Sequence, residues 1–177
     1  MNTTITGPDG QPRCGWCGAA PEFLTYHDTE WGFPVNDDHR LFEKLCLEGF
    51  QSGLSWRTIL AKRENFRRTF HHFDFDKVAN FTQQDVNRLV KDEGSLAAYI
   101  WRYAPDAKQL PAPQSASTSL GSIALSKDLK QRGWKFVGPT TVYAFMQAMG
   151  LVNNHMETCV IRVKVEAARK RFRKPTG

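Results

Sequence analysis

Four residues at opposite ends of the chain have the donor types of a metal site. Cys14 and His27 lie near the start, in "CGWCGAAPEFLTYHD", and His155 and Cys159 near the end, in "HMETC". The second pair is four residues apart, a spacing that puts both side chains on one face of a helical turn. Two thiolates and two imidazoles suit a closed tetrahedral Zn²⁺ site of the structural kind, with no open position for water. Such a site would tie the N-terminal segment to the C-terminal helix. The same residues also read as buried cysteines and surface histidines with no common task. Cys14 and Cys17 have the spacing of a redox dithiol. Reactive pairs of that kind sit where a strand meets a helix N-terminus, and the preceding "GQPR" carries no strand pattern.

A second group is "CLEGFQSGLSW". Glu48 is a single carboxylate in an apolar, small-residue stretch, and Trp56 follows at the start of the next helical pattern. A buried carboxylate must be paired, hydrogen-bonded or neutralised. Beside Trp and Tyr it would suit a flat cationic ligand with N–H donors, with cation–π attraction from the rings. On an amphipathic helix the same Glu could simply face solvent. A third group, "FLTYHDTEWG", places Phe23, Tyr26 and Trp31 around His27 and Glu30. Aromatics beside polar groups suit a base-binding pocket, and equally a core.

The elements that must position these residues read as helices joined by short turns. Leu41, Phe42, Leu45 and Cys46 share one helical face, with Asp37 or Asp38 as cap. A helix starting after Ser55 carries Ile59, Leu60, Phe66 and Phe70. "DFDKVANF" predicts a short helix, and "TQQDVNRLVKDEG" opens on a capping-box-like Thr82 and Asp85 and stops at Gly94. "SLAAYIWRYA" ends at Pro105, and "LPAPQSASTSLGS" reads as a loop. "ALSKDLKQRG" ends at Gly133. "PTTVYAFMQAMG" has Pro at its first position and Gly at its end, a helix signature at both termini. Alternating β patterns are almost absent, which predicts an all-α domain over residues 13–160, with a flexible tail over 1–12 and a basic tail over 161–177.

The 177 residues, 41% hydrophobic and 24% charged, suffice for one domain with a real core. No stretch approaches the roughly 18 apolar residues of a membrane span, and the polar N-terminus has no apolar signal core. A cytoplasmic location, no membrane partner and reduced cysteines are expected. The formal charge of +6 is local: residues 161–177 carry all of it, and residues 1–160 sum to zero. A basic arm attracts phosphate backbones; it also serves as a solvated tail.

Taken together, "RCGWC", "YHDTEWG", "LFEKLCLEGFQSGLSW", "LAKRENFRRTFHHFD", "IALSKDLKQRGWKFVGPTTVYAFMQAMGLVNNH" and "HMETC" resemble the bacterial 3-methyladenine DNA glycosylase I family, from Arg13 to Cys159. The resemblance implies the helix-hairpin-helix DNA glycosylase fold, a structural zinc site, and a monomer that excises 3-methyladenine from double-stranded alkylated DNA. It makes Cys14, His27, His155 and Cys159 the zinc ligands. It makes Glu48 the carboxylate that reads the flipped base, and the one candidate catalytic group. Tyr26 and Trp56 become aromatic walls, and Trp16 and Trp31 pocket supports. Phe23 stands where the family often has Tyr, so it can stack but offers no hydroxyl.

The resemblance breaks in one place. After "KDEG" the family has a basic hairpin and a further helix that grip DNA phosphates; here Gly94 runs straight into Ser95. The zero charge of residues 1–160 matches that loss. A missing helix would also expose core surface on its neighbours, at about 25 cal/mol per Å². The alternative function is therefore a non-catalytic, zinc-stabilised module that binds damaged base or DNA.

Overall fold

A computed structural model describes residues 3–51, 54–74, 77–78, 95–106 and 110–175. The expectations at Thr82, Asp85 and Gly94, and most of "DFDKVANF", lie outside these residues. The described chain is helical, apart from one small hairpin of β1 (Thr4–Thr6) and β2 (Pro12–Cys14), antiparallel with Thr4 opposite Cys14. Two segments expected to be irregular thus have structure: part of the N-terminal tail, and the residues leading into Cys14. Gly10, at φ +75°, closes the hairpin turn, a conformation that glycine adopts without steric cost.

A 3₁₀ turn (Gly15–Ala19) leads into α1 (Pro21–Thr29), with Pro at its first position. Helix α2 (Asp38–Phe50) is capped by Asp37, whose carboxylate accepts from the Arg40 amide at 2.8 Å. Helix α3 (Trp56–Thr69) is capped by Ser55. Then come α4 (Leu96–Trp101), α5 (Leu120–Gln131), α6 (Pro139–Ala148) and α7 (Val160–Arg171).

Helix α6 is the centre of the core. Val142, Phe145 and Met146 are fully buried, and both α5 and α2 pack on it. Each such side chain contributes about 1.5–3 kcal/mol by leaving water. Gly150 ends this helix at φ +75°, where a Cβ would lie 2.4 Å from the backbone of Phe33 and Pro34. Only glycine permits that approach, which holds the segment after α1 against the end of α6.

Asp38, the other expected cap of α2, has a different task. Its carboxylate accepts from the Leu96 and Ala97 amides at 3.2 and 2.7 Å, while the Ser95 hydroxyl accepts from the Ala98 amide at 2.9 Å. From Ser95 on, the chain therefore forms a doubly capped helix packed in the core. Leu96, Ala97, Tyr99, Ile100 and Trp101 of α4 are buried.

The basic C-terminal segment is not simply a solvated tail. Its helix α7 buries Ile161 and Val165, and Phe172 packs on Trp101 with ring centroids 4.4 Å apart. Lys164, Lys170, Arg171, Arg173 and Lys174 stay exposed.

Candidate metal centre and aromatic cleft

The fold brings the four distant candidate ligands to one point. Cys14 ends β2, His27 lies in the last turn of α1, His155 lies in the loop after α6, and Cys159 caps α7. All four are buried, and their donor atoms lie within 4.8 Å of one another. His27 Nε2 is 3.1 Å from His155 Nδ1 and 3.5 Å from Cys159 Sγ. His155 Nδ1 is 3.7 Å from Cys14 Sγ and 3.6 Å from Cys159 Sγ.

The opposite nitrogen of each ring is already committed. His27 Nδ1 lies 2.7 Å from Asp28 Oδ1, and His155 Nε2 lies 3.0 Å from the Trp31 carbonyl. Both partners are acceptors, so each ring places its proton there. The two inward nitrogens then present bare lone pairs to one another, which repel unless a cation stands between them. Both sulfurs share this buried space, Cys14 Sγ and Cys159 Sγ each lying within 3.7 Å of His155 Nδ1. The donor set fits a metal ion.

The surrounding shell was less legible in the sequence. Asp28 orients His27 and is itself held by Arg13, whose Nε donates at 2.9 Å, and Arg13 also pairs with Asp9. Carboxylate–histidine pairs of this kind fix the tautomer of a ligand. The adjacency of His27 and Asp28 was the available signal. Gly32, at φ +88°, passes so close to His155 that a Cβ would lie 2.9 Å from Nε2. Cys17 is buried, and burial pushes its thiol up to about 11, opposite to the shift a redox thiol needs.

Beside the Cys/His cluster opens a cleft of about 250 Å³, lined by Trp16, Tyr26, Trp31, Glu48, Gln51 and Trp56 with Ala144 and Gln147 of α6. It adjoins a recess of about 210 Å³ that shares Glu48 and Gln51 and adds Thr140 and Thr141. Five of the six expected pocket residues line the cleft. Phe23 does not: it packs edge-on against Trp16 at 6.0 Å, one layer back. The aromatic set is continuous with the Cys/His cluster, because Trp31 stacks on His27 and meets His155 edge-on at 4.6 Å.

Glu48, on the last turn of α2, is buried and not solvent-facing. It is also not alone. Lys44, one turn earlier and equally buried, donates to Glu48 Oε1 and to Tyr26 Oη, both at 2.8 Å. Its ammonium lies 3.4 Å from the centroid of the Trp56 ring. Burial pushes the Tyr26 phenol well above its usual range, so it stays protonated. Burial also pulls Lys44 down, opposed by the attraction of Glu48. Sequence reasoning missed Lys44, although the i, i+4 Lys/Glu spacing was its signal.

Residues 16–96 and 90–163 match the model of a family described as methyladenine glycosylase. The DNA-3-methyladenine glycosylase 1 of Escherichia coli (strain K12) is 43% identical over 177 aligned residues, which span 83% of this chain and 95% of that protein. The DNA-3-methyladenine glycosylase of Haemophilus influenzae is 40% identical, over 83% of this chain and 96% of its own. A crystal structure of 3-methyladenine DNA glycosylase I superposes with a TM-score of 0.71 at 39% identity, covering 84% of this chain and 98% of the other. The Staphylococcus aureus enzyme, solved to explain 3-methyladenine recognition, gives 0.71 at 34% identity, over 81% and 92%.

Proposed function

Because the chain belongs to the methyladenine glycosylase family, we propose that the aromatic cleft is its base pocket and Glu48 the carboxylate that reads the base. The chain is a DNA glycosylase that excises 3-methyladenine. The observation that carries the pocket assignment is the convergence of one buried carboxylate with Trp16, Tyr26, Trp31 and Trp56 on one cleft.

The chemistry follows from the substrate. A 3-methyladenine in duplex DNA carries a positive charge, so its glycosidic bond is already weak. The nucleotide must be extruded from the stack and held. As the C–N bond breaks, its electron pair neutralises the departing ring. Water adds its oxygen to the sugar carbon and loses a proton. The base needs no protonation, so the pocket acts by selecting and holding it. Glu48 offers an acceptor oxygen, and the tryptophan faces offer stacking. None of the residues lining the cleft is assigned as general base.

Zinc suits the metal centre. Tetrahedral bond lengths of about 2.05 Å to nitrogen and 2.3 Å to sulfur correspond to ligand separations of about 3.3 Å for N···N and 3.5 Å for N···S. The distances of 3.1 Å and 3.5–3.7 Å lie close to these. Cys14, His27, His155 and Cys159 would hold the ion, and four protein ligands leave no position for water. Its part is to clasp β2 and α1 to α7, next to the pocket.

One observation supports the second reading, a binding module without turnover. The alignment to the E. coli relative is 177 positions long but takes up only 83% of a 177-residue chain, so it carries gaps on this side. The two family matches meet at residues 90–96, where the DNA-gripping hairpin is expected to be missing.

Titration with 3-methyladenine tests the pocket. Trp16, Trp31, Trp56 and Tyr26 line it, so the native chain should show saturable quenching of tryptophan fluorescence, and Glu48→Gln should weaken it about tenfold or more. Equal affinity in the two proteins would move the base site elsewhere.

A further inference from the structure

A cationic base needs two things from this pocket, an anionic partner and a ring face. Both are already engaged by a cation of the chain's own. Lys44 Nζ lies 2.8 Å from Glu48 Oε1 and 3.4 Å from the Trp56 centroid, and it also meets Tyr26 Oη at 2.8 Å. Those three partners are the three that a charged ligand in the cleft would use. Lys44 reaches them from the far side of the Tyr26–Trp56 pair, whose centroids are 5.5 Å apart. On that side lies a second, nearly filled recess of about 20 Å³, lined by Tyr26, Lys44, Leu47 and Trp56 and rimmed by charged groups. The ammonium is 5.1 Å from the Tyr26 centroid and belongs to the wall, not to the open cleft.

We propose that Lys44 is a specificity-determining residue of the base pocket, a tethered cation that neutralises Glu48 from behind and lowers the pocket's preference for positively charged bases. The proposal rests on the reading of the cleft as a base site. Two physical effects support it. An ammonium at hydrogen-bond distance cancels most of the field of a carboxylate a few ångströms away, and both charges are buried where screening is weak. A cation on one face of an indole also withdraws the electron density that the other face would offer. The other charges on that side do not replace the lost negative field, since Glu30 pairs with Arg63 at 2.7 Å and Glu43 with Arg67 at 2.9 Å. Lys44 meets the carboxylate at Oε1, which leaves Oε2 as an acceptor for an N–H group. The pocket that results recognises a base by shape and hydrogen bonding, with little help from net charge.

The test uses two small probes on the full chain, the permanently cationic 3,9-dimethyladeninium and the neutral 9-methyladenine, both followed by tryptophan fluorescence. The readout is the ratio of their affinities, in the native chain, in Lys44→Met and in Lys44→Arg. Lys44→Met keeps the length of the side chain without its charge. It should raise the preference for the cation about tenfold or more, while Lys44→Arg keeps the native ratio. Lys44→Gln, which retains a donor for Glu48, gives the same rise if Met disturbs folding. A ratio unchanged in both uncharged variants, with helical circular dichroism intact, would make Lys44 a purely structural partner and overturn the proposal. Failure of both probes to bind any of the proteins would instead overturn the base-pocket reading beneath it.

Discussion

His27 Nε2 and His155 Nδ1 face each other across 3.1 Å, from residues 128 positions apart in the chain. Each ring has spent its other nitrogen on an oxygen acceptor, Asp28 for one and the Trp31 carbonyl for the other. Two lone pairs held this close call for a cation between them.

The native chain should purify with one zinc per molecule by atomic emission. Asp28→Asn should leave the four ligands in place but weaken metal affinity about 10–100-fold, as loss of an orienting carboxylate does. Cys159→Ala should abolish stoichiometric binding. Zinc content unchanged by Cys159→Ala would remove the metal centre as assigned.

Cys17 should behave as an inert thiol. Its pKa is pushed up to about 11 by burial, so it is protonated throughout the neutral range, and thiolate appears only as pH approaches 11. Mass spectrometry after treatment of the folded protein with iodoacetamide at about pH 7.5, well below that value, should find Cys17 unmodified. Rapid labelling there, or a Cys14–Cys17 disulfide in air, would restore the dithiol reading.

Asp38 should matter more than its place beside the α2 cap suggests. Asp38→Ala leaves the Leu96 and Ala97 amides without their acceptor and should cost about 1–2 kcal/mol in urea unfolding. Asp37→Ala, which removes the cap of α2, should cost about 1 kcal/mol. A near-zero cost for Asp38→Ala would mean that α4 is held by its apolar side chains alone.

Much of this was legible in the sequence where a local rule operates. Proline at the start of α6 and glycine after its end, and Ser55 before α3, have short-range causes. His155 and Cys159 do meet, but not on one face of a helical turn: His155 lies in a loop and Cys159 is the N-cap of α7. Residues that act across the fold were not legible. Asp38 reads as one of two equivalent caps, and only the packing of α2 against α4 sends it to the Leu96 and Ala97 amides. Glu48 could read as a solvent-facing residue of an amphipathic helix, and Lys44 drew no reading, because only Tyr26 and Trp56, from two other helices, close over the pair. Phe23 reads as a pocket residue because it clusters in sequence with Tyr26 and Trp31 and stands where the resemblance places an aromatic ring, but α1 turns it onto Trp16. The segment from Ile161 reads as a tail because its basic residues hide the two positions, Ile161 and Val165, that dock it.

That docking changes how the basic segment is tested for DNA binding. Ending the chain at Val160 would remove buried side chains along with the charge. Replacing the exposed Lys170, Arg171, Arg173 and Lys174 by Gln isolates the charge. If these residues neutralise phosphates, the slope of log K against log salt should fall by about 0.9 for each phosphate left unpaired by the change. An identical slope would leave the segment a structural role only.

The most direct measurement is base release from DNA treated with a methylating agent, resolved by chromatography into individual methylated purines. The zinc-loaded native chain should release 3-methyladenine catalytically, and Glu48→Gln should lose at least tenfold in rate while keeping its zinc. Binding of free 3-methyladenine without any release from DNA, in a folded and metal-loaded protein, would contradict the glycosylase activity and leave the chain a binding module.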